Sequence, residues 1–247
     1  MREYEVRRAV INPDKQKLPQ VMFLGGHTDD DAMFKLTAEL GKRDIGVTIA
    51  TLTNSDGRNL PRYQPEELAE VRWGEAIRSG KTGGITEVRR VEIPDGRLKY
   101  NMEEGISFAG NLIDEIKPIA VVTPHVLDPH ADHEMAYFVG EAVAGFQTPH
   151  YMTDTITGFS KEGDLLVPDF IIPISKESAQ KEIDIYLANT SQVEDIPAEE
   201  MVDVQKVIEM TERHGQAINA KHAAALSSRW NTRENPLYEI FEDTIAA

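Results

Sequence analysis

Two short stretches concentrate the side chains that can do chemistry. Residues 23–34 read FLGGHTDDDAMF, and residues 121–134 read VVTPHVLDPHADHE. They hold four of the seven histidines, His27, His125, His130 and His133, beside Asp29, Asp30, Asp128 and Asp132. Each stretch follows an apolar run, so these groups stand at the end of a buried strand, where an uncompensated carboxylate is costly. Metal binding is the direct reason to keep them there. Two imidazoles and one carboxylate form a common catalytic zinc set that leaves a position open for water. Bound zinc brings the pKa of that water to about 7 and polarises a carbonyl oxygen. A further carboxylate can act as general base, and a third histidine can stabilise an oxyanion or protonate a leaving amine. The inventory fits amide hydrolysis. Either stretch alone also reads as an acid-rich helix start; the two together point to a metal.

The elements around them must bring the stretches together. Short apolar or β-branched runs at 20–24, 45–53, 87–93 and 119–123 predict strands. Helical spacing with acidic starts and glycine stops predicts helices over 30–41, 64–80, 102–117 and 132–144. Strands alternating with helices indicate an α/β fold: a Rossmann-like, doubly wound, mainly parallel sheet with helices on both faces. Beyond residue 150 the pattern loosens to a strand at 169–174, a helix at 176–188 and a long helix at 199–226. One domain over 1–247 is expected, with its Rossmann-like core over about 19–150 and a less regular part over 151–247. In such a sheet the first and fourth strands are neighbours, and the ligand crevice lies outside their carboxyl ends. The two stretches then face each other.

Composition narrows the chemistry further. The chain has no cysteine, so a transition-metal site must use His, Asp and Glu. A formal net charge of −16 argues against a nucleic-acid or anionic-membrane partner. The charged N-terminal segment lacks the apolar core of a signal peptide, and no run approaches the length of a membrane span, which makes a cytoplasmic location the default. Residues 74–82, GEAIRSGKT, resemble a phosphate-binding loop but carry five residues between Gly74 and Gly80-Lys81-Thr82 where that loop needs four. They read as a helix end capped at Gly80.

At Gly26-His27-Thr28-Asp29-Asp30-Asp31 and His130-Ala131-Asp132-His133 the sequence resembles the LmbE-like, or PIG-L, deacetylases. This zinc-dependent family acts on N-acetylglucosaminyl compounds. Weaker matches are Leu52-Thr53, Asp56-Gly57, Arg72-x-x-Glu75, Ser191-Gln192 and Tyr238-Glu239-x-Phe241. The resemblance implies that His27, Asp30 and His133 bind one Zn²⁺, with another divalent metal as the alternative. It implies that Asp29 is the general base, that His130 assists the oxyanion or leaving group, and that Asp132 orients His130. Arg72 would reach a substrate hydroxyl or phosphate; its alternative is a helix-surface charge. Family prolines are replaced by Thr28 and Ala131, and a tyrosine found in some members is Asp128 here. His125 and Asp128 read as pocket-wall or surface residues.

The function expected is therefore removal of an N-acetyl group from an amino sugar or its conjugate, a small-molecule substrate, with homo-oligomerisation left open. Two alternatives use the same residues: a metal-dependent hydrolase of another amide or a phosphoester, and a non-catalytic Rossmann-like metal- or ligand-binding domain.

Overall fold

The computed structural model describes residues 4–30, 35–57, 62–145, 148–153, 168–193, 202–228 and 235–245. Its strands are β1 Val6–Val10, β2 Gln20–Gly25, β3 Gly46–Thr51, β4 Glu87–Val91, β5 Ala120–Pro124, β6 His150–Thr153, β7 Phe170–Pro173 and β8 Ala223–Ser228. They join in one sheet in the order β1-β4-β3-β2-β5-β6-β8-β7. The central run from β4 to β6 is parallel, whereas β1, β8 and β7 pair antiparallel at its two ends. Every residue of β2, β3, β4 and β5 is buried, as parallel strands covered on both faces require.

The helices are α1 Thr37–Gly41, α2 Pro65–Gly83, α3 Met102–Ile116, α4 Ala131–Ala144, α5 Lys176–Leu187, α6 Thr190–Val193, α7 Val202–Ala217 and α8 Pro236–Ile245. Because strand side chains alternate, β2 feeds two cores. Val21 and Phe23 pack with Leu40 of α1, Ala76 of α2 and Phe241 of α8. Met22 and Leu24 pack with Phe108 and Leu112 of α3 and Val139 of α4. Fully burying one such side chain contributes about 1.5–3 kcal/mol, so the alternation in QVMFL holds helices on both faces.

Several expectations needed correction. Of the helix expected over 30–41, residues 31–34 lie outside the described residues, and the helix proper is α1. Gly80 is not a cap: α2 continues to Gly83, and Gly84, at φ 68°, ends it. The helix expected over 199–226 is two elements, with residues 199–201 outside the described ones. It stops at Ala217; Asn219 then turns at φ 56°, and Ala223–Ser228 runs as a strand between β6 and β7. Alanine favours helix, but here pairing with strands on both sides overrides that propensity. The edge strand β1 and the short β6 lacked an apolar run and were not foreseen. Among the described residues no helix is long and apolar enough to cross a membrane.

Candidate metal centre

The register places β5 directly beside β2, with Phe23 opposite Val122, so the loops leaving both strands meet. Gly25 and Gly26 make that meeting possible. A Cβ on Gly25 would lie 2.8 Å from Asp30 Cβ, and one on Gly26 would lie 3.2 Å from His133 Cδ2. The β2 loop can therefore fold back under its own aspartate and approach the start of α4. The following segment braces it: Thr53 Oγ1 donates to Gly26 O at 2.7 Å, and Thr28 N donates to Ser55 Oγ at 2.9 Å. The family proline at position 28 has no N–H to give, so Thr28 exchanges ring stiffness for a hydrogen bond.

Three ligand atoms converge. His27 Nδ1 lies 3.2 Å from His133 Nε2, His133 Nε2 lies 3.1 Å from Asp30 Oδ1, and His27 Nδ1 lies 3.7 Å from Asp30 Oδ1. Donors bound tetrahedrally at about 2.0–2.1 Å are spaced by about 3.3 Å. The triangle has the size of one metal ion. All three residues are buried, and the Asp30 second oxygen accepts from His27 N at 2.8 Å, which fixes the carboxylate.

The electrostatics make the same point. Burial opposes charge on His27, yet hydrogen bonds to Asp132, Asp30 and Asp95 outweigh it and hold its pKa well above the usual histidine value. Burial likewise opposes charge on His133, but Asp30 and Asp128 push its pKa up to about 9. Asp30, against the same burial, is held well below the usual carboxylate range by His133 and His27. A pocket that raises two histidines and lowers the carboxylate between them stabilises positive charge, which a divalent cation supplies without protons.

The remaining residues surround this triangle unequally. His130 is exposed and N-caps α4, accepting from Asp132 N through Nδ1. Its ring centroid lies 4.5 Å from that of His27 and 4.8 Å from that of His133, and the three histidines form a second possible donor group. Burial and the two neighbouring imidazoles lower its pKa. Asp29 is half-buried and, among the described residues, makes no hydrogen bond or ion pair. The structure does not bring the Asp132 carboxylate to the His130 ring. That carboxylate accepts from Gly96 N at 2.6 Å and lies 3.5 Å from His27 Nε2. Arg72 is buried rather than on the helix surface; Nη1 donates to Ser55 O at 2.6 Å, and Nε has no hydrogen-bond partner among the described residues.

Two carboxylates stand closer to the centre than the sequence indicated. Asp95, in the loop after β4, places Oδ1 3.2 Å from His27 Nε2. Asp128 is buried, with Oδ1 3.1 Å from His133 Nδ1. His27, Asp95 and Asp132 form a third possible donor group, on the opposite nitrogen of the same ring. His125 is not part of any converging group among the described residues; its Nδ1 accepts from Leu127 N. The signal for Asp95 was available: Pro94-Asp95-Gly96 is a turn at the carboxyl end of a central strand, where such sheets build their sites.

Residues 22–144, which carry both halves of this centre, match the model of the PIG-L family, GlcNAc-PI de-N-acetylase. The chain belongs to that family. Its members are deacetylases, hydrolases of carbon–nitrogen bonds other than peptide bonds. Among solved structures it is similar to the N,N'-diacetylchitobiose deacetylase from Pyrococcus horikoshii, at 18% identity and a TM-score of 0.71, over 93% of this chain and 92% of that one. The zinc-inhibited form of teicoplanin deacetylase Orf2 matches at 14% identity and a TM-score of 0.67, over 86% of this chain and 100% of that one. GalB, the 4-carboxy-2-hydroxymuconate hydratase from Pseudomonas putida KT2440, matches at 13% and 0.67, over 88% and 99%. No curated protein sequence matches the chain. At these identities the solved structures establish a shared fold, and the hydratase among them means that the fold alone does not choose the reaction.

Proposed function

We propose that this PIG-L-family chain is a zinc-dependent hydrolase that removes the N-acetyl group from an N-acetylglucosamine-type amino sugar or conjugate. The observation that carries the reading is the convergence of His27 Nδ1, Asp30 Oδ1 and His133 Nε2 on one point. The donor set contains no thiolate and suits a catalytic rather than a structural zinc. Similarity to deacetylases of chitobiose and teicoplanin supports an amino-sugar amide as substrate.

Zinc at that point would polarise the amide carbonyl and make water acidic near neutral pH. Asp29, next in the chain to Asp30 and with no hydrogen bond among the described residues, takes the proton from the attacking water. His130 faces the centre from its exposed side and serves the developing oxyanion, then the departing amine; its lowered pKa makes its protonated form the stronger acid. Asp132 orients the centre twice, fixing the His130 ring with its N–H and bracing His27 with its carboxylate. Arg72, buried beneath the Ser55 turn, is the cation placed to take a substrate oxygen. In this reading the chain works as one domain in the cytoplasm on a small molecule.

The test is metal content by plasma mass spectrometry, on chain purified without chelator or affinity tag, beside a His27→Ala/His133→Ala variant. About one zinc per chain, lost in the variant, together with acetate release from N-acetylated sugars, is the expected result. Because a related deacetylase has a zinc-inhibited form, the sugar panel is run with zinc, cobalt and manganese at one equivalent. Absence of bound divalent metal, or cleavage of phosphoesters alone, would overturn the reading.

A further inference from the structure

The two imidazoles that face the metal position turn opposite nitrogens toward it. His27 presents Nδ1 and His133 presents Nε2, at 3.2 Å from each other. Each leaves its other nitrogen behind it, and each of those meets a different buried or half-buried carboxylate: Asp95 Oδ1 at 3.2 Å from His27 Nε2, and Asp128 Oδ1 at 3.1 Å from His133 Nδ1. The two aspartates come from different distances along the chain. Asp95 is 68 residues from His27, and Asp128 precedes His133 by five.

Both carboxylates are held in place. The Asp95 second oxygen accepts from Gly57 N at 3.3 Å, and its own N–H donates to Asp56 Oδ1 at 3.0 Å. Gly57 has to be glycine for this: a Cβ there would lie 2.6 Å from Asp95 Cγ. Asp128 Oδ1 also accepts from His130 N at 2.7 Å, so one carboxylate ties the turn before α4 to the back of His133. The Asp132 carboxylate, 3.5 Å from His27 Nε2, is already engaged by Gly96 N at 2.6 Å.

We propose that Asp95 and Asp128 are a matched pair of positioning residues that set opposite tautomers in the two metal-facing histidines. Asp95 accepts Nε2–H of His27 and leaves the Nδ1 lone pair forward. Asp128, with Oδ1 3.1 Å from His133 Nδ1 but outside hydrogen-bond alignment, acts through its charge, favouring the proton on Nδ1 and leaving the Nε2 lone pair forward. Outer carboxylates of this kind fix the ring and raise the basicity of the ligating nitrogen. The inference rests on the metal centre of the proposed function and adds to it which side chains make two histidines into a preformed site.

The test uses the purified chain with zinc alone as the probe. Asp95→Ala and Asp128→Ala are titrated against a chromogenic chelator, and each is expected to weaken zinc binding by roughly 10- to 100-fold. Asp95→Asn and Asp128→Asn, which keep an acceptor but lose the charge, fall between wild type and alanine. Thermal melting of the metal-free proteins checks folding separately. Nitrogen chemical shifts of the two rings in the zinc-loaded protein give a readout that a merely structural role would not move. The proton sits on Nε2 of His27 and on Nδ1 of His133. Wild-type zinc affinity in both alanine variants, or the same protonated nitrogen in both rings, would overturn the pair while leaving the metal centre intact. A wild-type chain that binds no zinc would overturn the pair and the metal centre together.

Discussion

The two ends of the central parallel strands both collect charge, and they treat it differently. At the amino ends, Glu87 meets Arg8 Nε at 2.9 Å and Arg89 Nε at 3.0 Å, while Arg89 also reaches Glu115 at 2.6 Å. Two arginines close on two glutamates, beside a cavity of about 250 Å³ that Gln20, Thr48 and Thr86 also line. At the carboxyl ends, Asp29, Asp30, Asp95, Asp128 and Asp132 gather around three imidazoles, and Arg72 donates to Ser55 O in the neighbouring loop. The first cluster neutralises itself. The second is short of positive charge, and the deficit is what makes it a site rather than a brace.

Two buried histidines repeat the contrast on a smaller scale. His133, among carboxylates, is pushed up to about 9, whereas burial drives His150 down to about 4. His150 shares Thr123 Oγ1 at 2.9 Å, stacks on Tyr137 and, among the described residues, pairs with one carboxylate, Glu141 Oε2 at 3.4 Å. Burial has the same sign for both rings; the carboxylates decide the outcome.

The comparison can be broken at several points. Asp29→Asn is expected to keep its zinc and lose between about 10² and 10⁴ in turnover, since general-base catalysis contributes about that much; steady-state rates near wild type would remove Asp29 from the chemistry. Glu87→Gln, at the self-neutralising end, is expected to cost about 3 kcal/mol of stability in urea denaturation, because it strips hydrogen bonds from buried Arg89 and from Arg8. Its zinc affinity is expected to equal that of wild type, and weaker zinc binding would mean that the two ends are coupled. For His150 the sign follows from its lowered pKa. Between its usual value near 6.5 and about 4, the unfolded chain takes up a proton that the native ring refuses. That contribution is whole above about pH 6.5 and is lost as pH falls, by about 2 kcal/mol between pH 7 and pH 5 at about 1.4 kcal/mol per unit. Comparing melts of wild type and His150→Gln over that range isolates it, and parallel curves would refute it. Gly25→Ala is expected to have the smallest effect, about 1–2 kcal/mol, as Asp30 shifts to admit the methyl group. A chelator titration then reads whether Asp30 still completes the metal triangle.

Much of this was legible in the residues. QVMFL and IAVVT are apolar runs bounded by breakers, so their strands, their parallel pairing and the meeting of the loops behind them follow from pattern and topology. The convergence of His27, Asp30 and His133 was legible because residue types suited to metal binding cluster in the two motifs. Asp95 was not, because it lies far in sequence from both motifs and joins them only through the folded turn at Gly57. Asp128 read as a surface or wall residue because nothing local shows that its turn is buried. The Asp132 carboxylate was assigned to His130, two residues before it; in the fold it lies against Gly96 N and His27. Side-chain identity is a property of the sequence, but which nitrogen a carboxylate faces depends on loops that long-range packing positions.

The strand Ala223–Ser228 lies between β6 and β7 although it comes after both in the chain. During synthesis from the N-terminus, the outer edge of β6 therefore emerges more than 70 residues before the strand that covers it, as Tyr151 pairs with Ser228. A nascent chain halted before residue 223 presents an open row of backbone donors and acceptors to any neighbouring chain. Completing this sheet is a question of translation as well as of packing.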